Sequence, residues 1–395
     1  MKDPKESLCP ILSHYTQIEV DYGQGPYLHT TDGCRYLDFT TGIGVVNTGH
    51  CHPKVVAAAQ AQVAKLIHGQ QNVVYHKPVL ELIQELQTIL PPHLDGFFFA
   101  NSGAEAIEAA MKLARHATGR TNMVVFQGGY HGRTIGSVSL TTSNPIYHYR
   151  YQPLMPGVYV APFPDTYFYG WSADETEAFC LKILRHLLAS QTAPEETAAM
   201  LIEPVLGEGG YVVPTPGFLA GVQEICREHD ILFIVDEVQS GFGRTGKWFA
   251  FQHFGVEPDI VVMAKGLASG FPLSAIAARP ELMQHSPLGS QGGTYGGNAV
   301  ACAAGVATVR AMKEEGMIEN SARLGIRLME ELEPLQEEFP VIGEVRGLGL
   351  MVGVEFTAAD SKPDAATAKA VVDLSLIHIS EPTRPTATSR MPSSA

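Results

Sequence analysis

Two ionisable residues 29 positions apart, Asp236 and Lys265, each close an apolar run, Phe233-Ile-Val-Asp236 and Met263-Ala-Lys265, and each is followed by a turn. Runs of this kind read as buried parallel strands that deliver one side chain to the mouth of a sheet. Ligands of open α/β sheets bind at those carboxyl ends. An acid and a lysine sharing one crevice can anchor the two ends of a single bound cofactor.

Three further constellations could serve such a site. Gly96-Phe-Phe-Phe-Ala100 reads as a strand, Asn101-Ser102-Gly103-Ala104-Glu105 as a turn, and Ala106 to His116 as a helix. Ser102 and Glu105 fit a capping box, and Gly119 fits a stop. A strand, a small-residue turn and a helix N-terminus form an anion site through unpaired N–H groups and the helix dipole; taken alone, the same residues describe a well-capped helix. A second strand, Met123 to Phe126, leads to the glycine-bounded loop Gly128-Gly-Tyr130-His131-Gly132-Arg133-Thr134. Its aromatic ring and cation suit stacking on a flat group and pairing with an anion, or an ordinary surface loop. Glu203 and Glu208, five apart at a strand end and a glycine-rich loop, read either as an acid/base pair or as solvated loop acids.

Composition bounds what remains. The chain has 395 residues, 45% of them hydrophobic and 17% charged, enough for one large α/β domain and a smaller one. A net charge of −14 argues against nucleic acid or an anionic membrane surface as partner. The six cysteines are scattered without C-x-x-C spacing, which points to a reducing cytoplasm. Neither a signal peptide nor a run of 18 apolar residues is visible. His50 and His52 lack a third metal ligand at short spacing. Gly241 to Lys247 matches the spacing of a phosphate loop, but Trp248 stands where that loop needs Ser or Thr. Gly347-Leu-Gly349-Leu-Met-Val352 breaks the dinucleotide pattern at its third glycine. Residues 18 to 40 read as an antiparallel hairpin, and 143 to 198 as connection and surface.

Asp236-Glu-Val-Gln239, Gly243-Arg-Thr-Gly246, Pro258-Asp259-Ile260 and Ala264-Lys265-Gly266 together resemble the signature of class III pyridoxal-phosphate-dependent aminotransferases. Five spaced motifs agree in family order: Asn47-Thr-Gly-His50, Asn101 to Glu105, Tyr130 to Thr134, Glu203 to Gly210, and Gly293-Thr294-Tyr295-Gly-Gly-Asn298. The likeness is greatest to the 4-aminobutyrate and related ω-amino-acid aminotransferases.

The resemblance implies an α/β protein of the PLP-dependent transferase fold type I. It would have a mainly parallel seven-stranded sheet flanked by helices and a smaller α+β domain drawn from both termini. The implied divisions are 1–47 and 318–373 for the small domain and 48–317 for the large one. It implies pyridoxal 5'-phosphate as cofactor, with Lys265 bound to it covalently and moving the proton, and Asp236 on the pyridine nitrogen. Ser102, Gly103 and Ala104 would cradle the phosphate, Tyr130 and Val238 would cover the two ring faces, and Gln239 would reach the phenolic oxygen. His131 would join the cofactor-binding set, and Glu203 would lie beneath the ring. Ile43, Arg133 and Glu208 would line the substrate side. Thr294 would reach the neighbouring subunit's phosphate, implying a homodimer, with a tetramer as the next assembly. The implied reaction moves an amino group from an ω-amino acid or amine to a 2-oxo acid by two half-reactions. Alternatives on the same site are an acetylornithine- or ornithine-type aminotransferase, an aminomutase, racemase or decarboxylase, and an impaired cofactor binder. The last is raised by Ser375 to Ala395, which departs from the family pattern and is expected to be a disordered, non-native tail beginning at 374, without the arginine that pairs elsewhere with the residue matching Glu208.

Overall fold

The computed structural model describes residues 4–12, 14–358 and 362–380. Short continuous apolar runs build its central sheet, as expected for strands covered on both faces. In chain order, three small strands, β1 (Val20–Gln24), β2 (Tyr27–Thr30) and β3 (Arg35–Leu37), precede β4 (Gly96–Ala100), β5 (Asn122–Phe126), β6 (Val158–Ala161), β7 (Thr197–Ile202), β8 (Leu232–Asp236), β9 (Ile260–Met263) and β10 (Ser274–Ala278). The seven later strands form one sheet in the order β4-β10-β9-β8-β7-β5-β6. β10 is antiparallel to both β4 and β9, and the pairs β5/β6, β5/β7, β7/β8 and β8/β9 are parallel.

Successive side chains along a strand point to opposite faces, and the core divides accordingly. Phe233 and Val235 of β8 pack with Phe126, Phe218 and Met263 on one face. Ile234 between them packs with Val125, Val262 and the inner side of the helix Gly103–Thr118 on the other. Asp236 is aligned with Val262, so the last residue of β8 and the exit of β9 toward Lys265 lie side by side. This register puts the acid and the lysine at the same edge.

The expected hairpin at 18 to 40 is a three-stranded antiparallel sheet, because the turn at Asp32-Gly33 returns the chain once more to pair β3 with β2. Near the other end, β11 (Ile342–Leu348) and β12 (Met351–Phe356) form an antiparallel pair. The helix Ala365–Ser380 packs on both β3 and β12, joining pieces from both ends of the chain. That helix runs past residue 373, so the expected disorder does not begin at 374; the rest of that stretch, 381–395, lies outside the described residues. Among the described residues no helix is long and apolar enough to cross a membrane.

Candidate active site

A cavity of about 420 Å³ opens at the carboxyl ends of β8 and β9, a size typical of small-molecule sites. Ser102, Gly103, Ala104, Tyr130, His131, Arg133, Glu203, Asp236, Val238, Gln239 and Lys265 all line it. Asp236 is 3% exposed. Its carboxylate accepts the Val238 N–H at 3.0 Å and lies 2.8 Å from His131 Nδ1. The His131 ring is equally buried, and its Nε2 has no hydrogen-bond partner among the described residues. The Asp236 contact assigns the ring proton to Nδ1.

Glu203 ends the buried run of β7 and accepts N–H groups from Tyr130 at 2.7 Å and Gly207 at 2.9 Å. Burial, with the Asp236 charge second, pushes its carboxyl up to about 7. Neighbouring Glu237 is also raised to about 7 by burial, but it turns away from the cavity to accept the Phe251 N–H and the Ser240 hydroxyl. Lys265 sits in a left-handed backbone at φ 44°, a conformation non-glycine residues rarely adopt. Burial lowers its amine from the ordinary lysine value, while Glu203, Asp236 and Glu208 oppose the shift. No hydrogen bond engages its amine among the described residues.

Opposite these groups the helix Gly103–Thr118 begins at the cavity wall. Its capping box is formed: Ser102 Oγ accepts the Glu105 N–H, and the Glu105 carboxylate accepts the Ser102 N–H. Gly119 terminates the helix at φ 70°. A Cβ at Gly103 would stand 3.0 Å from Val238 Cγ1, so the glycine keeps that corner open. The wall thus offers an anion site, an orphaned ring nitrogen behind a buried acid, and an unengaged lysine amine. This donor set fits pyridoxal phosphate, which carries a phosphate, a ring nitrogen and an aldehyde.

Ile43 and Glu208 line a second cavity of about 370 Å³, shared with Tyr211 and Arg346, and Gln239 lines both spaces. Four consecutive residues, Thr41 to Gly44, have positive φ, from 48° to 72°. For Thr41 and the β-branched Ile43 this conformation costs roughly 1–2 kcal/mol each. Glu203 and Glu208 do not act as a pair, since one is buried under the first cavity and the other is exposed on the second. Arg133 Nε donates to the Tyr130 hydroxyl at 3.0 Å, and its guanidinium lies 4.4 Å over the Tyr147 ring. The Tyr147 hydroxyl donates to Glu208 at 3.4 Å. Tyr147 lies in the stretch that the sequence marks as connection, so this link between Arg133 and Glu208 is a correction; Tyr147 is one of three alternating tyrosines there, with Tyr149 and Tyr151, and nothing in that run singles it out.

Thr294 is exposed and lies outside both cavities of its own chain. Lys247, in the stretch that matches phosphate-loop spacing, is exposed and donates to the Gln252 carbonyl at 2.9 Å. His50 and His52 face Asp38 and Glu315.

A lysine and a buried acid on adjacent strand ends, facing a capped helix N-terminus, define a cofactor-dependent transferase of the α/β class. The chain matches the family model described as aminotransferase class-III over residues 12–379. It is 42% identical over 360 residues to the 4-aminobutyrate aminotransferase GabT of Escherichia coli, covering 90% of this chain and 83% of the relative. It is 44% identical over 333 residues to the acetylornithine aminotransferase of Methanosarcina mazei, covering 84% and 78%. Among solved structures it is similar to an amine transaminase from an uncultivated Pseudomonas species in its PLP-bound form, with TM-score 0.85 and 31% identity, covering 91% of this chain and 86% of that one. The chain belongs to the class-III aminotransferases, has their fold type I architecture, and is a transaminase dependent on pyridoxal 5'-phosphate.

Proposed function

We propose that this transaminase takes its amino group from an ω-amino acid or terminal amine and gives it to a 2-oxo acid such as 2-oxoglutarate or pyruvate. The observation that carries the reading is Lys265: half-buried, without a hydrogen-bond partner among the described residues, and in one cavity with the His131–Asp236 pair. Bound there, pyridoxal phosphate supplies an electron sink that lets an amine-bearing carbon lose its proton.

The chain's own residues do the rest. Burial favours the neutral Lys265 amine, the form that attacks a carbonyl and accepts a proton. Asp236, fixed by Val238 N–H and His131, would hold the proton on the ring nitrogen. Ser102, Gly103 and Ala104 would hold the phosphate at the helix N-terminus. Tyr130 and Val238 would enclose the ring, Gln239 would meet its phenolic oxygen, and Glu203 would close the floor. Arg133 would receive a substrate carboxylate, with Ile43 and Glu208 shaping the approach.

The active unit in this reading is a homodimer in the cytoplasm, with Thr294 entering the partner's site. Its support is that exposed Thr294 stands beside exposed Tyr295, whose ring lies 5.5 Å from that of His68, in a stretch that also meets Gln70 through the Gly293 carbonyl, a surface suited to a second copy. All six cysteines are unpaired, in keeping with a reducing compartment.

The test compares wild type with Lys265→Ala. Wild type loaded with cofactor shows a visible absorbance band that an amine donor bleaches, and it makes a new amino acid from added 2-oxoglutarate or pyruvate. The variant does neither. A donor panel of 4-aminobutyrate, acetylornithine and simple amines ranks the substrate. If wild type lacks a Lys265-dependent band, or if product forms without consumption of the 2-oxo acid, the reading is wrong.

A further inference from the structure

The left-handed turn Thr41–Gly44 presents Ile43 to the substrate-side cavity, and Val45 just after it lines the cofactor cavity. A turn in this conformation persists only where its surroundings hold it. Two clamps do so. From one side the Asp38 carboxylate accepts the N–H groups of Thr40 at 2.8 Å and Thr41 at 3.0 Å, and is itself held by His50 at 2.8 Å. From the other side a single guanidinium, Arg244, donates through Nη2 to Thr41 Oγ1 at 3.2 Å and to Asn47 Oδ1 at 2.7 Å.

Arg244 has no ion-pair partner among the described residues, and its Nε is buried without an acceptor. A half-buried guanidinium without a carboxylate is costly, which sets it apart from an incidental surface arginine. Its position is fixed from behind: its own carbonyl accepts the Leu350 N–H at 3.0 Å, from the β11–β12 turn, and the Ser321 hydroxyl at 3.1 Å, from the helix Met317–Glu338. Asn47 closes the loop by donating to the Phe242 carbonyl at 2.7 Å. Arg244 therefore joins the N-terminal turn to the loop after β8 and to the C-terminal hairpin at one point.

We infer that Arg244 is a positioning residue that sets donor selectivity by holding the Thr41–Gly44 turn, and with it Ile43, against the substrate space. This rests on the transaminase reading for its kinetic consequence but not for the clamp itself. Thr41→Val isolates the contact, because valine keeps the β-branched shape and removes only the accepting oxygen. Arg244→Met removes the donor, and Arg244→Lys retains one charge without the planar fork.

Hydrogen exchange of the holoenzyme reads the clamp directly at the turn amides of Gly44, Val45 and Val46, which donate to Thr40 and Thr41 carbonyls. Exchange there should quicken by about tenfold or more in Arg244→Met and by severalfold in Thr41→Val, with β8 amides unchanged. The kcat/KM ratio of 4-aminobutyrate to 5-aminovalerate, its one-carbon-longer homologue, should shift by roughly fivefold, mainly through KM. Arg244→Lys should recover part of both effects. Unchanged exchange at the turn in Arg244→Met and Thr41→Val overturns the clamp. Loss of activity that is equal for both donors overturns the selectivity role. Absence of a cofactor band in wild type withdraws the transaminase reading and leaves the exchange result to decide the clamp.

Discussion

Glu203 gives the most direct check on the electrostatics of the cavity. Its carboxyl is raised from 4.5 to about 7, chiefly by burial and next by Asp236. A folded-state value above the unfolded one means that the native protein binds the proton more tightly between those limits. Stability from the protonated acid is therefore fully present below about pH 4.5 and is lost as pH rises through about 7, a change worth about 3 kcal/mol. Glu203→Gln removes the titration. The amide oxygen can accept only one of the Tyr130 and Gly207 N–H groups while its NH2 faces the other, a penalty of roughly 1–3 kcal/mol. At pH 5 the variant should thus be the less stable protein. At pH 8.5, where wild type carries the cost of the buried charge, the two should be equal or the variant ahead. Thermal midpoints at matched ionic strength, with and without cofactor, measure the crossing. A stability difference that stays constant from pH 5 to 8.5 would refute the assignment, since Glu203 would then hold one protonation state throughout.

Two further substitutions probe the ends of the site. Ile43→Gly relieves roughly 1–2 kcal/mol of left-handed strain and returns about 0.5–1 kcal/mol as chain entropy, so the thermal midpoint should rise slightly. The same change should flatten discrimination between short and long donors, which kcat/KM ratios report. Ser102→Ala removes the helix cap at a cost of about 1 kcal/mol, and it should also quicken cofactor loss on dialysis, followed by visible absorbance. If the midpoint falls but cofactor retention does not, Ser102 serves the helix alone.

The sequence revealed those parts of the site that obey local rules. Asp236 and Lys265 were visible because each interrupts a run that has to be apolar to lie inside a parallel sheet. The helix at Gly103–Thr118 announced both ends through Ser102, Glu105 and Gly119. What stayed hidden depends on long-range approach. Tyr147 bridges Arg133 and Glu208, 61 residues from the latter, and nothing local marks it. Arg244 lay within a false phosphate-loop match, and its partners Thr41 and Asn47 are 203 and 197 residues away. Gly42-Ile43-Gly44 suggested a loop, but not that Thr41 and Ile43 would share the glycines' left-handed backbone. The two glutamates could be read from their spacing as an acid/base pair, and the structure separates them, with Glu203 buried just past β7 and Glu208 exposed in the loop.

Several exceptions to ordinary stabilising arrangements lie around the two cavities, though others occur elsewhere, and the former bear on how the chain is ready for its cofactor. Remote charges are satisfied: Glu85 meets both Arg310 and Lys313, and Arg120 reaches four backbone carbonyls. At the cavities Arg346 is likewise paired with Glu344 and Glu355, but several other groups are not satisfied. Lys265 is half-buried and unengaged, His131 keeps an orphaned nitrogen, Glu203 is forced toward neutrality and Ile43 is strained, while Arg244, which holds the turn carrying Ile43, lacks a carboxylate among the described residues. Each departure costs folding energy that the surrounding packed sheet must supply, and each leaves a donor, acceptor or shape available to a bound group. A fold selected for stability alone would pair or replace these residues. Their grouping at one edge of the sheet means that binding should recover part of the cost, so the cofactor ought to stabilise the chain as well as equip it for chemistry.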